Sequence, residues 1–84
     1  MWYVYIIQCR DKKLYTGVTQ DVSRRVKEHN SGRGGRFTKY RGPVRLLLKE
    51  EVYDKSAALQ REAEIKKMNR RKKDELIRSF GIAF

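Results

Sequence analysis

Two short apolar segments near the start of the chain are the feature that most restricts its fold. Trp2–Cys9 and Leu14–Val18 are rich in aromatic and β-branched residues, so both are predicted to be strands. The first is also too short for a buried helix. Because only the polar residues 10–13 separate the two segments, we expect them to pair as a β-hairpin.

The rest of the chain is predicted to contain one more strand and three helices. Asp21 can cap a helix over 22–30, and Gly32 is a candidate for its C-terminal cap. Residues 32–42 are rich in glycine and arginine, which predicts either a mobile basic loop or a short, poorly formed helix. The next predicted elements are a strand over Val44–Tyr53 and a helix over about Lys55–Met68, for which Asp54 and Ser56 are candidate caps. Asn69 is a candidate cap for a last helix that ends near Phe80.

The predicted order of elements is therefore β-β-α-β-α-α. This order indicates an α/β fold, more strictly α+β, with a small three-stranded, mostly antiparallel sheet flanked by helices. A chain of 84 residues has room for a single domain, 1–84.

The sequence also restricts where the protein works. No basic segment precedes the apolar start and no small-residue cleavage site follows it, so we expect no signal peptide. No run approaches the roughly 18 apolar residues of a membrane helix. Cys9, the single cysteine, cannot form an internal disulfide or a zinc cluster. We expect a cytoplasmic protein that does not act at a membrane.

Charge is the strongest compositional signal. The chain carries 21 Lys and Arg against 10 Asp and Glu, a net charge of +11. Such an excess indicates a polyanionic partner, either nucleic acid or an anionic membrane. Because the basic residues concentrate in two blocks, 24–45 and 61–78, nucleic acid is favoured. The alternative is a solvated surface with many lysines.

Polar residues interrupt the apolar stripe of the first predicted helix. Val22, Arg25, Val26 and His29 follow the spacing of a core-facing stripe. A guanidinium on a half-buried face must be paired or must serve a ligand. Alternatively, Arg25 reaches solvent from the edge of the stripe, and His29 is a hydrogen-bonded histidine at its rim.

A similar interruption occurs in the second predicted helix, where Glu62 lies between Leu59 and Ile65 on the side expected to pack. One hypothesis is a structural salt bridge, for example with Arg25. The other is a metal-binding carboxylate, because hard divalent cations take oxygen ligands. Tyrosines in the hairpin are usually core residues, although a tyrosine hydroxyl near a metal can orient or deprotonate water.

These features together resemble one known family. Tyr3-Val4-Tyr5 and Tyr15-Thr16-Gly17 resemble the paired motifs of the GIY-YIG nucleases, while residues 21–29 and 59–66 resemble the arginine and glutamate helices of that family. The similarity is greatest to its stand-alone, one-domain, uncharacterised subgroup. Two departures are the tyrosine at position 3, in place of the first glycine, and Val18, where excision-repair relatives carry a lysine. Matching the motifs residue by residue implies five catalytic residues: Tyr5, Tyr15, Arg25, His29 and Glu62.

The resemblance implies metal-dependent hydrolysis of phosphodiester bonds in nucleic acid, with DNA favoured over RNA. A divalent metal, Mg²⁺ or Mn²⁺, would bind Glu62. Arg25 would stabilise the extra negative charge of the transition state, and His29 would assist by hydrogen bonding. Tyr15 or Tyr5 would position or deprotonate water, and the sequence leaves open which of them does so.

Three expectations about the arrangement follow. Arg25, Glu62 and at least one of the two motif tyrosines should meet at one shallow groove. Tyr5 and Tyr15 share a face of the hairpin only if paired residue numbers sum to an even value, so we predict that register. The residues expected to contact phosphate are Arg24, Lys27, Arg33, Arg36, Lys39, Arg41 and Lys66.

Two other functions stay open at this point. One is a catalytically silent nucleic-acid-binding module with the same fold, which the tyrosine at position 3 favours. The other is an interaction protein whose basic surface meets a protein or a membrane. We expect no DNA-binding domain beyond this core, so targeting would come from the core itself or from a protein partner.

Overall fold

The computed structural model describes residues 1–39 and 41–82, and within them three strands form one antiparallel sheet in the order β2-β1-β3. The strands are β1 (Trp2–Gln8), β2 (Leu14–Thr19) and β3 (Arg45–Val52). The helices are α1 (Val22–Asn30), the short α2 (Arg36–Lys39), α3 (Lys55–Lys67) and α4 (Arg70–Phe80). The predicted α+β fold is confirmed, and α2 is the short helix that was one of the two forms predicted for residues 32–42. Tyr40 in that segment and residues 83–84 lie outside the described part.

Differences from the predicted boundaries are small and have local causes. The first strand stops before Cys9, because the Cys9 N–H bonds the Lys13 carbonyl at 2.9 Å and the Lys12 N–H bonds the Cys9 carbonyl at 2.9 Å. The third strand begins after Val44, whose backbone groups bond the side chain of Asn30 instead of another strand. Helix α3 stops one residue early because the backbone of Met68 is extended.

The register of the hairpin places both motif tyrosines on the same face. Tyr5 pairs with Gly17, and Ile7 pairs with Tyr15, so paired numbers sum to an even value as predicted. The connection Cys9–Lys13 has an odd number of residues, which allows this register. Tyr5, Tyr15 and Gly17 therefore all lie on one side of the sheet.

Each face of the sheet has its own hydrophobic cluster. On one face, Val4, Ile6 and Leu48 pack with Ala58 and Ile65 of α3. The other face carries a second set of side chains, which pack with one another and against α1: Tyr5, Ile7, Cys9, Val44, Tyr15, Val26 and Leu46. Each large apolar side chain buried in this way stabilises the fold by about 1.5–3 kcal/mol.

The three longer helices begin at side-chain caps that the sequence predicted. Asp21 accepts from the Arg24 N–H at 3.0 Å, Asp54 from the Ala57 N–H at 2.8 Å and Asn69 from the Lys72 N–H at 2.9 Å. Each cap satisfies a backbone donor that the helix leaves unpaired, and contributes about 1 kcal/mol. None of the helices in residues 1–39 and 41–82 combines the length and the apolarity required to cross a lipid bilayer.

Candidate active site

The aromatic ring of Tyr5 lies across the edge strand β2 at Gly17. A methyl group built on Gly17 would come within 2.5 Å of the Tyr5 hydroxyl and 2.7 Å of its ring carbon Cζ. Only glycine, which has no side chain, leaves room for the phenol at this point. The glycine of the second motif is thus explained by the tyrosine of the first, which is buried with 1% of its surface exposed.

The Tyr5 hydroxyl is hydrogen-bonded to Nε2 of His29 at 2.8 Å. Burial raises the pKa of Tyr5, an effect that the guanidinium of Arg25 partly offsets. Burial also lowers the pKa of His29, and the positive charge of Arg25 lowers it further. At neutral pH the tyrosine is therefore protonated and the histidine neutral, which assigns Tyr5 as the donor and Nε2 as the acceptor.

Tyr15 completes an aromatic cluster around the same imidazole. Its ring centroid lies 5.1 Å from that of His29, edge-on, and 6.4 Å from that of Tyr5. Tyr15 is half-buried, whereas Tyr5 and His29 are each 1% exposed. Of the two motif tyrosines, Tyr15 is the one more open to solvent.

The guanidinium of Arg25 is held at two points. Nη1 lies 3.2 Å from Oε1 of Glu28, and Nη2 donates to the Gly34 carbonyl at 3.2 Å. Burial lowers the pKa of Arg25, but hydrogen bonds with Tyr5 and Glu28 outweigh that effect and raise it overall. The charge is thus permanent, and it lies beside the Tyr5 hydroxyl.

The hypothesis of a salt bridge between Arg25 and Glu62 is wrong. Among the described residues, the ion-pair partner of Arg25 is Glu28, and that of Glu62 is Lys66. The spacing of Arg25 and Glu28, three residues apart on one helix, was available in the sequence as a signal for this pair.

Two residues that sequence analysis missed connect the loop after α1 to the site. Gly34 is buried, and a methyl group built there would collide with the ring and backbone of His29. The Asn30 side chain accepts from the Val44 N–H at 2.6 Å and donates to the Val44 carbonyl at 3.3 Å, which closes the base of the loop. Neither contact has a signal in a single sequence, because each joins elements whose distance is set by the fold.

Glu62 lies on α3, which packs against β1 and β2. Its side chain is 19% exposed, and Oε2 lies 3.4 Å from Nζ of Lys66. Burial is the main cause of the raised pKa of Tyr5, and the negative charge of Glu62 adds a smaller effect in the same direction. The structure thus brings Tyr5, Tyr15, Arg25 and His29 together, while the contact that it gives Glu62 is the ion pair with Lys66.

The donor set at Glu62 is compatible with a hard divalent cation. No group of three or more His, Cys, Asp or Glu side chains suited to a metal occurs in residues 1–39 and 41–82. Mg²⁺, however, is commonly held by only one or two carboxylates together with water and substrate phosphate. Glu62, a carboxylate of low exposure, fits that type of site once its ion-pair partner Lys66 is displaced.

The predicted phosphate-contacting residues lie mainly on α1 and on the segment that follows it. All are exposed except Arg41, which is half-buried and lies 3.1 Å from Oδ2 of Asp11. The group consists of Arg24, Lys27, Arg33, Arg36, Lys39 and Arg41, with Lys66 on α3 beside Glu62.

Comparison with known proteins shows the family of this chain. A family model described as the GIY-YIG catalytic domain matches residues 1–75. A UPF0213 protein of Natronomonas pharaonis is 51% identical over 75 residues, which cover 89% of this chain and 88% of that protein. A UPF0213 protein of Staphylococcus saprophyticus is 48% identical over 75 residues, covering 89% of this chain and 92% of that protein.

A solved structure agrees with the fold. The solution NMR structure of a UPF0213 protein from Bacillus halodurans is 46% identical in sequence, with a TM-score of 0.59. The match covers 92% of this chain and 83% of that one. The chain therefore belongs to the GIY-YIG family, and its near relatives are single-domain UPF0213 proteins.

Proposed function

We propose that this protein hydrolyses phosphodiester bonds of nucleic acid, with DNA the favoured substrate and a divalent metal ion as cofactor. The observation that carries the proposal is the hydrogen bond of 2.8 Å between the Tyr5 hydroxyl and His29 Nε2, with the Arg25 guanidinium beside the same hydroxyl. A buried phenol joined to a neutral imidazole, next to a fixed positive charge, can handle a proton where a phosphate is bound.

The tyrosines and the histidine supply the proton path. When water attacks phosphorus it must lose a proton, and Tyr5 can accept that proton only by passing its own to His29 Nε2. The neutral state of His29, produced by burial and by Arg25, keeps that nitrogen able to accept. Tyr15, half-buried against the same imidazole, orients the water or the phosphate.

Arg25 supplies the charge that the transition state requires. Its guanidinium has five N–H donors in a rigid plane, and its partners are the Glu28 carboxylate, the Gly34 carbonyl and the Tyr5 hydroxyl. Its remaining donors suit phosphate oxygens, and its position is fixed before the substrate arrives. Preorganised donors of this kind stabilise developing negative charge without reorganisation during the reaction.

Glu62 is the residue that would hold Mg²⁺ or Mn²⁺. When bound there, the metal would supply Lewis-acid polarisation of the phosphoryl group or the leaving oxygen. In the free protein Lys66 occupies one side of this carboxylate, with Nζ 3.4 Å from Oε2. Lys66 then serves as a phosphate contact once it has left Glu62.

The direct test is a cleavage assay with branched duplex, single-stranded DNA and RNA, with and without Mg²⁺ or Mn²⁺. Glu62→Gln keeps the size of the side chain and removes its charge, so cleavage should fall to the level seen without metal, while binding survives or tightens. Glu64→Gln is the matched control, because Glu64 lies on the same helix with 64% of its side chain exposed. Undiminished cleavage by folded Glu62→Gln protein would rule out the metal-binding role.

The ion pair between Glu62 and Lys66 favours a second candidate function. A carboxylate already paired with a lysine, and without a cluster of further ligands in the described residues, also suits a catalytically silent binding module. Such a protein would bind nucleic acid but would not cleave it with any metal. Absence of wild-type cleavage under every condition, with salt-sensitive binding retained, would select this candidate.

A further inference from the structure

The densest positive charge of the chain lies outside the candidate active site. Residues 67–73, which join the end of α3 to the start of α4, contain five Lys and Arg and no acid. The first turn of α4 carries no acidic residue. Positive charges at the amino end of a helix repel its dipole, so this arrangement costs stability in the isolated protein. This cost in stability indicates that the positive charges serve to bind a partner.

A hydrogen bond brings the hairpin turn to the same place. Arg70 Nη1 donates to the Lys12 carbonyl at 3.0 Å, so that Lys12 and the neighbouring Lys13, both exposed, lie beside the start of α4. Lys67 and Lys72 line a common shallow depression on the surface. We name this surface the junction patch, which consists of Lys12, Lys13, Lys67, Arg70 and Lys72.

The acids around the junction patch are already neutralised by arginine. Asp74 lies 3.0 Å from Arg70, Glu64 lies 3.9 Å from Arg61, and Asp11 is paired with an arginine as described above. Within residues 1–39 and 41–82, by contrast, the lysines of the patch take part in no ion pair. Their charge is therefore available to a partner.

We propose that the junction patch binds the phosphate backbone of the same nucleic acid that occupies the active site. This inference rests on the proposed function. A membrane surface fits less well, because residues 66–73 offer no exposed large apolar side chain that could insert into lipid, and Met68 is half-buried.

The distance to the active site sets the length of nucleic acid required. From Gly17, where the Tyr5 ring crosses β2, the chain runs five residues to Lys12. At roughly 3.3 Å per residue this corresponds to about 16 Å. Successive nucleotides of a duplex rise about 3.4 Å, so the patch would meet phosphates about five base pairs from the scissile bond.

The test compares two double variants that remove equal charge from the same two helices. Lys67→Gln with Lys72→Gln removes two of the five positive charges of the patch, and Lys55→Gln with Arg78→Gln removes two charges from the opposite ends of α3 and α4. Binding to duplexes is measured by fluorescence anisotropy as a function of salt, in the Glu62→Gln background so that no substrate is consumed. Thermal melting verifies that each variant is folded.

For the patch variant, the negative slope of log affinity against log salt should become less steep by about 1.8, or 0.9 for each lost phosphate contact. The control should change by less than half of that. Wild-type affinity should also fall when the duplex is too short to extend about five base pairs beyond the active site. This decrease in affinity should be smaller for the patch variant than for the control variant.

Equal slopes and equal length dependence in the two variants would overturn the inference, whether or not the protein cleaves. A patch variant that loses binding to anionic vesicles but keeps wild-type binding to duplexes would overturn it too, in favour of a membrane surface. A patch-dependent slope in a protein that never cleaves would support the patch and refute the nuclease proposal, so the two failures are distinguishable.

Discussion

The Tyr5 hydroxyl is hydrogen-bonded to Nε2 of His29 at 2.8 Å. Burial moves the pKa values of these two groups in opposite directions. The pKa of the phenol rises and that of the imidazole falls, so the shared proton stays on Tyr5 across neutral pH. The pair is thereby set to accept one proton from a ligand, because the imidazole nitrogen remains neutral until it is needed.

Stability should decrease as pH falls below neutrality because of His29. Its pKa in the folded protein lies below the usual 6.5, so between these two values the unfolded chain binds more protons and the free energy of unfolding decreases with falling pH. Thermal melts between about pH 5 and 8 measure this. His29 is the single histidine, so the His29→Gln variant should show a shallower dependence.

The groups that face His29 are Arg25, Glu28, Tyr5 and Tyr15. The pKa values of Arg25 and Tyr5 are both raised from values that already lie above this pH range, so neither group produces the same slope. A wild-type melting temperature that is flat, or that rises towards acid, would contradict the assignment even if His29→Gln fails to fold.

Substitution of Gly17 should damage both stability and catalysis. The methyl group of Gly17→Ala would meet the Tyr5 hydroxyl at 2.5 Å, which forces the ring away from His29 and costs about 1–3 kcal/mol. Gly42→Ala is the control, because a methyl group there has no atom within 4 Å. Chemical denaturation and the cleavage assay measure the two effects, and equal stability of both variants would contradict the close contact.

Asn30 should stabilise the loop by two separable hydrogen bonds. Asn30→Ala leaves the N–H and carbonyl of Val44 without these partners and should cost about 1–3 kcal/mol. Asn30→Asp retains the acceptor for the Val44 N–H and should lose less. Denaturant titration ranks the three proteins, and an order in which Asn30→Asp is the least stable would refute this account.

Binding by the segment after α1 should depend strongly on salt. If six phosphate contacts form, affinity should fall by about 10³ between 50 and 200 mM salt. Arg36→Gln should make the negative slope of log affinity against log salt less steep by about 0.9, without changing sequence preference. Arg78→Gln, at the far end of α4, is the control. Affinity that is unaffected by ionic strength would indicate a protein partner.

Much of the fold could be predicted because local chemistry agrees with it. The caps Asp21, Asp54 and Asn69 mark three helix starts, and the alternation of β1 separates the two faces of the sheet. The even register followed from the requirement that Tyr5 and Tyr15 share a face. These features depend on residues that are close in sequence, or on the pairing of β1 with β2 in the hairpin.

What could not be predicted depends on contacts across the fold. The packing of Gly34 on His29 joins α1 to a loop whose path no local pattern determines. The same holds for the bond from Arg70 to Lys12, whose residues lie 58 positions apart in the chain. Glycine and arginine in a basic segment have many roles, and only the three-dimensional structure separates an anchor from a surface residue.

The close approach of Tyr5 and Gly17 also has an evolutionary consequence. A lineage that replaces the glycine must shrink or move the tyrosine, and so gives up the hydroxyl that bonds His29. Conversely, a lineage that no longer needs the phenol is released from the requirement for glycine. We therefore expect positions 5 and 17 to change together among descendants, and the residue found at position 17 to indicate whether a given homologue has kept its chemistry.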